Sequence, residues 1–469
     1  MSEPSEVEVW KQEPKGMMDF YQNQNYHLGQ SLADLIDNSF DANARRIKID
    51  IETSPEGGKM YIRILDDGSG MSMNELKDAM TLGSMKESRS SSDLGVYGIG
   101  MKISSLSQAD EVTVVTRTKK GPVSLRRISA KHIRDKNMSE ILKFSTGTEI
   151  YNDSEKEFIE GKWSTMVLLE EINSIDDFKT FADDLDDALL KELKKVEIHL
   201  GITFQRILEK RNDCVIEING RKLKSIDPMM MWEDDPDFGT AHHSVRVPAE
   251  IEGRNVPVEV DFFIIPHTKR SIDRKRYKKS LSGYKQANAM QGLYIYRNNR
   301  LIDYGGWKGL NEKFTLEEHT KVGRIAIHIP ADYTSSFNLS PTKIDVKLPN
   351  DFLERIKPEY LKERRWQDIK GGKEISFPRA CKFRYDNEGK KADKRAAKRS
   401  RSIKSKTSTT QEISESTVLE TPKGRKKASK PKPGVVLKIN EEENETIIRL
   451  NNKKKGYKDL MEFIRMWKD

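Results

Sequence analysis

The chain has 469 residues, 35% hydrophobic and 33% charged, with a net charge of +9. That length fits about three domains with real cores. Two distant cysteines, Cys214 and Cys381, exclude a disulfide framework and a cysteine-ligated metal. No run approaches the ~18 apolar residues of a membrane span. The polar, acidic N-terminus does not read as a signal peptide, so an intracellular setting, cytoplasmic or nuclear, is expected. The charge is unevenly placed. Residues 388–433 hold fifteen Lys and Arg against five Asp and Glu, a net of +10, which leaves −1 for the rest. With almost no large apolar side chains, this segment is expected to be disordered.

In chain order, residues 27–42 read as a helix. Leu28, Leu32, Leu35 and Ile36 form an apolar stripe. Asp34, Asn38 and Asp41 fall at i, i+4 and i+7 on a narrow polar seam. "RIKIDIE" (45–51) and "KMYIRIL" (59–65) alternate as strands around the turn "SPEGG". "LDDGSGM" (65–71) ends the second strand, and Ser72 with Glu75 makes a capping box for the next helix. Residues 83–98 are Ser- and Gly-rich and read as mobile. Residues 99–108 read as helical, and "EVTVVTR" (111–117) and "STMVLLE" (164–170) as strands. Helices with a mostly antiparallel sheet make an α/β sandwich. From about 173 a charged helical stretch (175–196) leads to the strands "CVIEING", "VEVDFFIIP", "GLYIYRNNRLI" and "VGRIAIHIPA", a second α/β domain ending near 355. The expected division is 1–172, 173–355, a connector and basic linker over 356–433, and a small hairpin-helix element over 434–469.

The seam has a chemical reading. A carboxylate one turn before an asparagine suits a phosphate chain with Mg²⁺ lying over that face. The Asn38 oxygen is a hard ligand for the metal, and Asp34 can orient and deprotonate a water. On the helix alone, a solvent-facing polar side is the simpler explanation of the seam. In "LDDGSGM", Gly68 and Gly70 let a planar ligand approach the backbone, and Asp66 can accept from an exocyclic amine, as adenine offers; an ordinary Asp-Gly turn is the plain alternative. In "LGVYGIGMK" (94–102), Gly95, Gly98 and Gly100 precede a helix whose free N–H groups attract phosphate, and Lys102 adds charge. A hinge would use the same glycines.

As a set, "LADLIDNSFDA", "LDDGSGM" and "GVYGIGMK" resemble the Bergerat-fold ATPases, the GHKL group of gyrase, ninety-kilodalton chaperones, histidine kinases and MutL. The resemblance implies that Asn38 ligates Mg²⁺, that Asp66 reads adenine, that Met71 belongs to the nucleotide pocket, and that Gly95, Gly98 and Gly100 line the phosphate lid. A late-strand threonine completing the adenine pocket is Thr165 or, failing that, Thr148. The family's general base is usually Glu; here the position is Asp34, one methylene shorter, which implies slow hydrolysis. "NLSPTKIDVKLPND" (338–351) resembles the MutL stretch whose lysine reaches the γ-phosphate from a transducer domain, which points to Lys343, with Lys347 the fallback. "QGLYIYRNNRLIDYGGW" (291–307) resembles a transducer hairpin of MutL-like and MORC-like proteins. The implied function is an ATP-gated homodimeric clamp, with nucleic acid met through 388–433 and a protein partner through 435–469. The rival is a nucleotide-gated chaperone or scaffold with little turnover.

Overall fold

The computed structural model describes residues 12–387 apart from 54–59, 82–93, 95–99, 174–184, 233–238, 252, 268–272, 282–283, 311–315, 334–336, 338–345, 347, 367–368 and 370–372, and it also describes 436–440 and 445–449. The chain divides into two units, Met1–Lys398 and Arg399–Asp469.

The first unit is a mixed α/β structure. Its helices begin with α1 (Pro14–Gln22) and α2 (Leu28–Asp41), followed by the strands β1 (Arg46–Thr53) and β2 (Met60–Asp66). Then come α3 (Met73–Met80), α4 (Gly100–Leu106), β3 (Ala109–Thr116), β4 (Ser124–Ser129), α5 (Ala130–Lys136), β5 (Leu142–Lys143), α6 (Glu149–Gly161) and β6 (Thr165–Ile172). After α7 (Leu185–Thr203) and α8 (Gln205–Lys210), the strands β7 (Val215–Ile218) and β8 (Arg221–Lys222) return to the same sheet, whose order is β5-β4-β3-β6-β2-β1-β7-β8. β7 runs parallel to β1, with Ile216 opposite Ile47. The first sheet therefore takes in strands as far as residue 222.

The alternation of β1 sends Ile47, Ile49 and Ile51 into one core with Leu32 and Ile36 of α2. The opposite face packs Leu65, Val115 and Met166 against Tyr151 and Phe158 of α6. The ends of α2 and α3 are set locally. The Ser72–Glu75 capping box forms as expected. α2 has one too, built on His27: its Nδ1 accepts the Gln30 N–H at 3.2 Å, and Gln30 Oε1 accepts the His27 N–H at 3.4 Å. Burial holds His27 near pKa 3, so the ring stays neutral and able to accept.

The second domain carries a five-stranded sheet ordered β12-β11-β13-β10-β9, with β9 (Ala241–Ile251), β10 (Arg254–Ile264), β11 (Gly292–Arg297), β12 (Arg300–Tyr304) and β13 (Gly323–Ile329). The short helix α9 (Arg274–Ser280) precedes β11, and α10 (Asn350–Leu361) packs on the core. That core also takes in Tyr360, Trp366, Ile375, Phe377 and Cys381, so the domain continues past the expected end at 355. α7 is the spine shared by both domains. Its Val196, Leu200 and the following Phe204 enter the first core, while Ile198 and Ile202 pack with Phe263, Tyr294 and Tyr296 of the second sheet. A helix apolar on two sides has no single stripe, which is why its periodicity reads weakly in the sequence.

In the second unit, β14 and β15 being the short pair Arg364–Arg365 and Glu374–Ile375 of the first, β16 (Val436–Asn440) pairs antiparallel with β17 (Glu445–Arg449), the hairpin expected there. The basic segment and the C-terminal helical stretch lie outside the described residues. No described helix is long and apolar enough to cross a membrane.

Candidate functional site: a nucleotide cleft along α2

The polar seam of α2 does not face bulk solvent along its length. From Ser31 to Phe40 every residue but one is buried, and the exception is Asn38. Asp41, at the end of the seam, accepts the backbone N–H of Leu94 at 2.6 Å, tying the helix to the one described residue between 82 and 99. Asp34 is 5% exposed and held from two directions. Its Oδ2 accepts the Tyr26 hydroxyl at 3.2 Å, and its Oδ1 lies 3.4 Å from a guanidinium nitrogen of Arg300 in the second domain. Asp37, off the polar seam, is 1% exposed and takes the same guanidinium through both oxygens, at 3.3 and 3.1 Å. Breaking such a buried group by removing one partner costs about 3–5 kcal/mol, because charge is left buried and unpaired.

Asp66, at the end of β2, meets α2 through Ser39. Its Oδ2 accepts the Ser39 hydroxyl at 3.0 Å and its Oδ1 the Gly68 N–H at 2.9 Å. Burial raises its pKa to about 6, against the pull of those two hydrogen bonds. The sheet register places Asp66 directly opposite Thr165, and Thr165 opposite Thr116. The two threonine hydroxyls are 3.1 Å apart, and Thr116 Oγ1 accepts the N–H of Met71 at 3.0 Å. Asp66, Thr165, Thr116 and Met71 therefore form one connected row across three strands. Thr148 stands apart as the cap position of α6, its hydroxyl donating to the Ser145 carbonyl.

The glycines of "DDGSGM" serve chain packing. A Cβ at Gly68 would lie 2.7 Å from the Ala42 carbonyl oxygen, and one at Gly70, with φ +66°, would lie 1.8 Å from that of Arg117. In the direction a side chain would take, protein backbone occupies the space, and the glycines close the turn onto α2 and β3. Lys102 is placed differently from its expected phosphate role. It is 2% exposed, and its ammonium donates to the carbonyls of Ala79 and Thr81 at 2.9 and 2.8 Å, at the C-terminal end of α3 where a cation is favoured. Gly100 begins α4, with nothing within 4 Å of an added Cβ. Gly95, Gly98, Lys343 and Lys347 lie outside the described residues.

Beside the cleft is a cavity of about 520 Å³ between the domains, lined by Asp34, His27, His199, Tyr284, Arg300 and Asp303 among others. Of the expected site residues only Asp34 reaches it. Val346 donates its N–H to Asp303 at 3.0 Å, fastening the chain just beyond the expected lysine to the wall of this cavity. Among the described residues no three His, Cys, Asp or Glu side chains are grouped to hold a metal. A Mg²⁺ ion bound through phosphate oxygens and water asks for only one or two protein oxygens, and the exposed amide of Asn38 fits that demand.

The sequence that builds this geometry is similar to known proteins. Residues 26–157 match the family described as histidine kinase-, DNA gyrase B- and HSP90-like ATPase. This stretch is a GHKL ATPase domain. Relatives include the ATPase morc-1 of Caenorhabditis elegans, 30% identical over 119 residues, which are 25% of this chain and 14% of that protein. Protein MICRORCHIDIA 7 of Arabidopsis thaliana is 31% identical over 90 residues, 19% and 13% of the two chains. The DNA mismatch repair protein MutL of Pseudomonas putida (strain W619) is 35% identical over 89 residues, 18% and 14%. The chain spans about a seventh of the length of the curated relatives it matches, all of it within the similarity to their ATPase region. Three residues of the GHKL domain's surroundings carry no family pattern readable in one sequence: Ser39, Thr116 and Arg300. Ser39 lies within the first quoted motif, and Thr116 ends β3. Arg300 follows the Asn298-Asn299 turn of the quoted hairpin, and only the tertiary structure brings it to α2.

Proposed function

We propose that this chain binds ATP with Mg²⁺ in the cleft along α2, hydrolyses it slowly, and uses binding to join two copies into a clamp on nucleic acid. The observation that carries the reading is the row Asp66–Thr165–Thr116, joined through Ser39 to the helix that bears the exposed Asn38 and the caged Asp34, within a GHKL domain. Asp66 accepts the adenine amine, with Thr165 beside it and Met71 at the pocket edge. Asn38 offers the metal its oxygen, and a bound Mg²⁺ supplies charge neutralisation of the phosphates. Gly95, Gly98 and Gly100 cradle phosphate through their backbone. Asp34 orients a water and takes its proton. Lys343 completes the phosphate contacts from the second domain.

The Asp66 carboxyl makes binding pH-dependent. Its ionised form is the stronger acceptor of the amine, and its pKa stands near 6. As pH falls through 6 the protonated form accumulates, and the ionised fraction at pH 5 is about a tenth. ATP affinity measured by calorimetry is expected to fall about tenfold between pH 7.5 and 5.0. Equal affinities at the two values would count against Asp66 as the adenine acceptor.

Residues 388–433, with their net +10, are the proposed nucleic-acid contact, and exposed Lys275, Arg276, Lys278 and Lys279 add positive surface on α9. Phosphate neutralisation of this sort is insensitive to sequence and steeply dependent on salt. Light scattering with a non-hydrolysable ATP analogue is expected to show the mass double, and duplex DNA binding to lose salt dependence when 388–433 are deleted. A mass that ignores the analogue refutes the clamp. The caging of Asp34 favours a second reading, a nucleotide-gated chaperone or scaffold with minimal turnover; turnover that DNA does not stimulate would support it. The hairpin within 435–469 is proposed as a docking element for a protein partner.

A further inference from the structure

We propose that Arg300, at the start of β12, is a positioning residue for Asp34, so that the second domain sets the rate of water attack. The inference rests on the ATPase reading above. Arg300 directly follows Asn298 and Asn299, whose φ values of 49° and 64° define a two-residue turn of the type that matches strand twist. β11 and β12 close on that turn through the pair Arg297 and Arg300. The tip is pinned to the first domain by Lys210, whose ammonium donates to the Asn299 side chain at 2.7 Å. The Arg300 guanidinium is itself fixed. It donates to its neighbour's carbonyl, Leu301, at 2.9 Å, faces the Phe204 ring at 5.9 Å, and engages both oxygens of Asp37.

Asp37 thus anchors the fork, and the remaining contact, at 3.4 Å, reaches Asp34. The other Asp34 oxygen takes the Tyr26 hydroxyl. The carboxylate is aimed by one group from each domain. α2 is gripped a second time at its N-terminus, where Tyr284 of the second domain stacks on His27 at 3.6 Å between centroids and accepts the Gly29 N–H at 3.1 Å. A movement of the β11–β12 hairpin relative to α2 therefore changes the direction of Asp34 without touching any residue of the adenine row. A displacement of ~1 Å at a catalytic group alters rate by about a hundredfold, so a small domain shift is enough to switch turnover.

The test uses the full chain and measures steady-state ATPase, calorimetric ATP affinity and thermal unfolding for wild type, Arg300→Ala and Arg300→Lys. Loss of the guanidinium is expected to lower kcat about a hundredfold with the ATP dissociation constant within about twofold of wild type. Lysine keeps the charge but not the planar fork, and is expected to restore part of the loss. Should Arg300→Ala fail to fold, Arg300→Lys decides the matter: a reduced kcat at unchanged affinity supports the assignment. Wild-type kcat in the folded variants, or a loss of affinity that accounts for the whole loss of rate, overturns it. If the variants match an active wild type, only this inference falls. If the wild type binds ATP and never turns it over, the hydrolysis reading falls and takes the positioning role with it.

Discussion

Replacing Asp34 by asparagine is expected to lower ATP turnover by about 10²–10⁴-fold, the usual contribution of a positioned general base. The substitution is close to isosteric. Asp37 continues to pair Arg300 through two oxygens, and the amide oxygen still accepts the Tyr26 hydroxyl, so the cage between α2 and the second domain persists. What the amide cannot do is take a proton from water. Nucleotide affinity is therefore expected to stay within about twofold of wild type, because no atom of the adenine row changes. The two quantities together make the test specific. Single-turnover ATPase and calorimetry on the same preparation give both. If turnover persists at the wild-type rate, Asp34 is only a structural carboxylate shared by Tyr26 and Arg300. If affinity collapses in parallel, its role is to hold the fold of the cleft, and the base lies elsewhere.

The helix, strands and turns nearest the nucleotide were legible because local rules govern them. The seam at i, i+4 and i+7 predicts α2, Ser72 and Glu75 predict the start of α3, and alternating isoleucines predict β1. Thr165 was reachable because a buried strand follows it, and the register places it opposite Asp66. The failures share one cause: each depends on contacts distant in the chain. Asp37 sits off the polar seam in a helical projection, yet a partner 263 residues away makes it a buried anchor. Lys102 reads as a phosphate ligand beside a glycine-rich loop, but the carbonyls of Ala79 and Thr81 lie within reach of its long stem. Gly68 and Gly70 signal close approach correctly, while a single sequence cannot tell whether ligand or backbone approaches. The return of β7 to the first sheet is not legible locally, because it comes only after the long helix α7. His27 escapes capping rules built around Ser, Thr, Asp and Asn, since a ring nitrogen accepts only when the ring is neutral, a state that burial secures here.

The same contrast between local and distant contacts bears on Asn38, whose replacement by alanine carries the other large effect. Asn38 is the one exposed residue between Ser31 and Phe40, so the change removes an amide from the cleft without opening a hole in the core. Alanine is also the better helix former, by about half a kcal/mol in a helix interior. The melting temperature is therefore expected to hold or rise, which separates a lost ligand contact from damaged folding. In magnesium, ATP affinity is expected to fall by about 10–100-fold, comparable to 1.4–2.8 kcal/mol. In excess chelator the variant and wild type should bind equally, because the amide oxygen serves the metal-bearing phosphates alone. The interaction between the two conditions is the informative term, in the manner of a double-mutant cycle with the metal as one partner. Should the magnesium-dependent gain in affinity survive in Asn38→Ala, the seam of α2 has some other purpose, and the assignment of Asp34 as the base loses the phosphate geometry on which it depends.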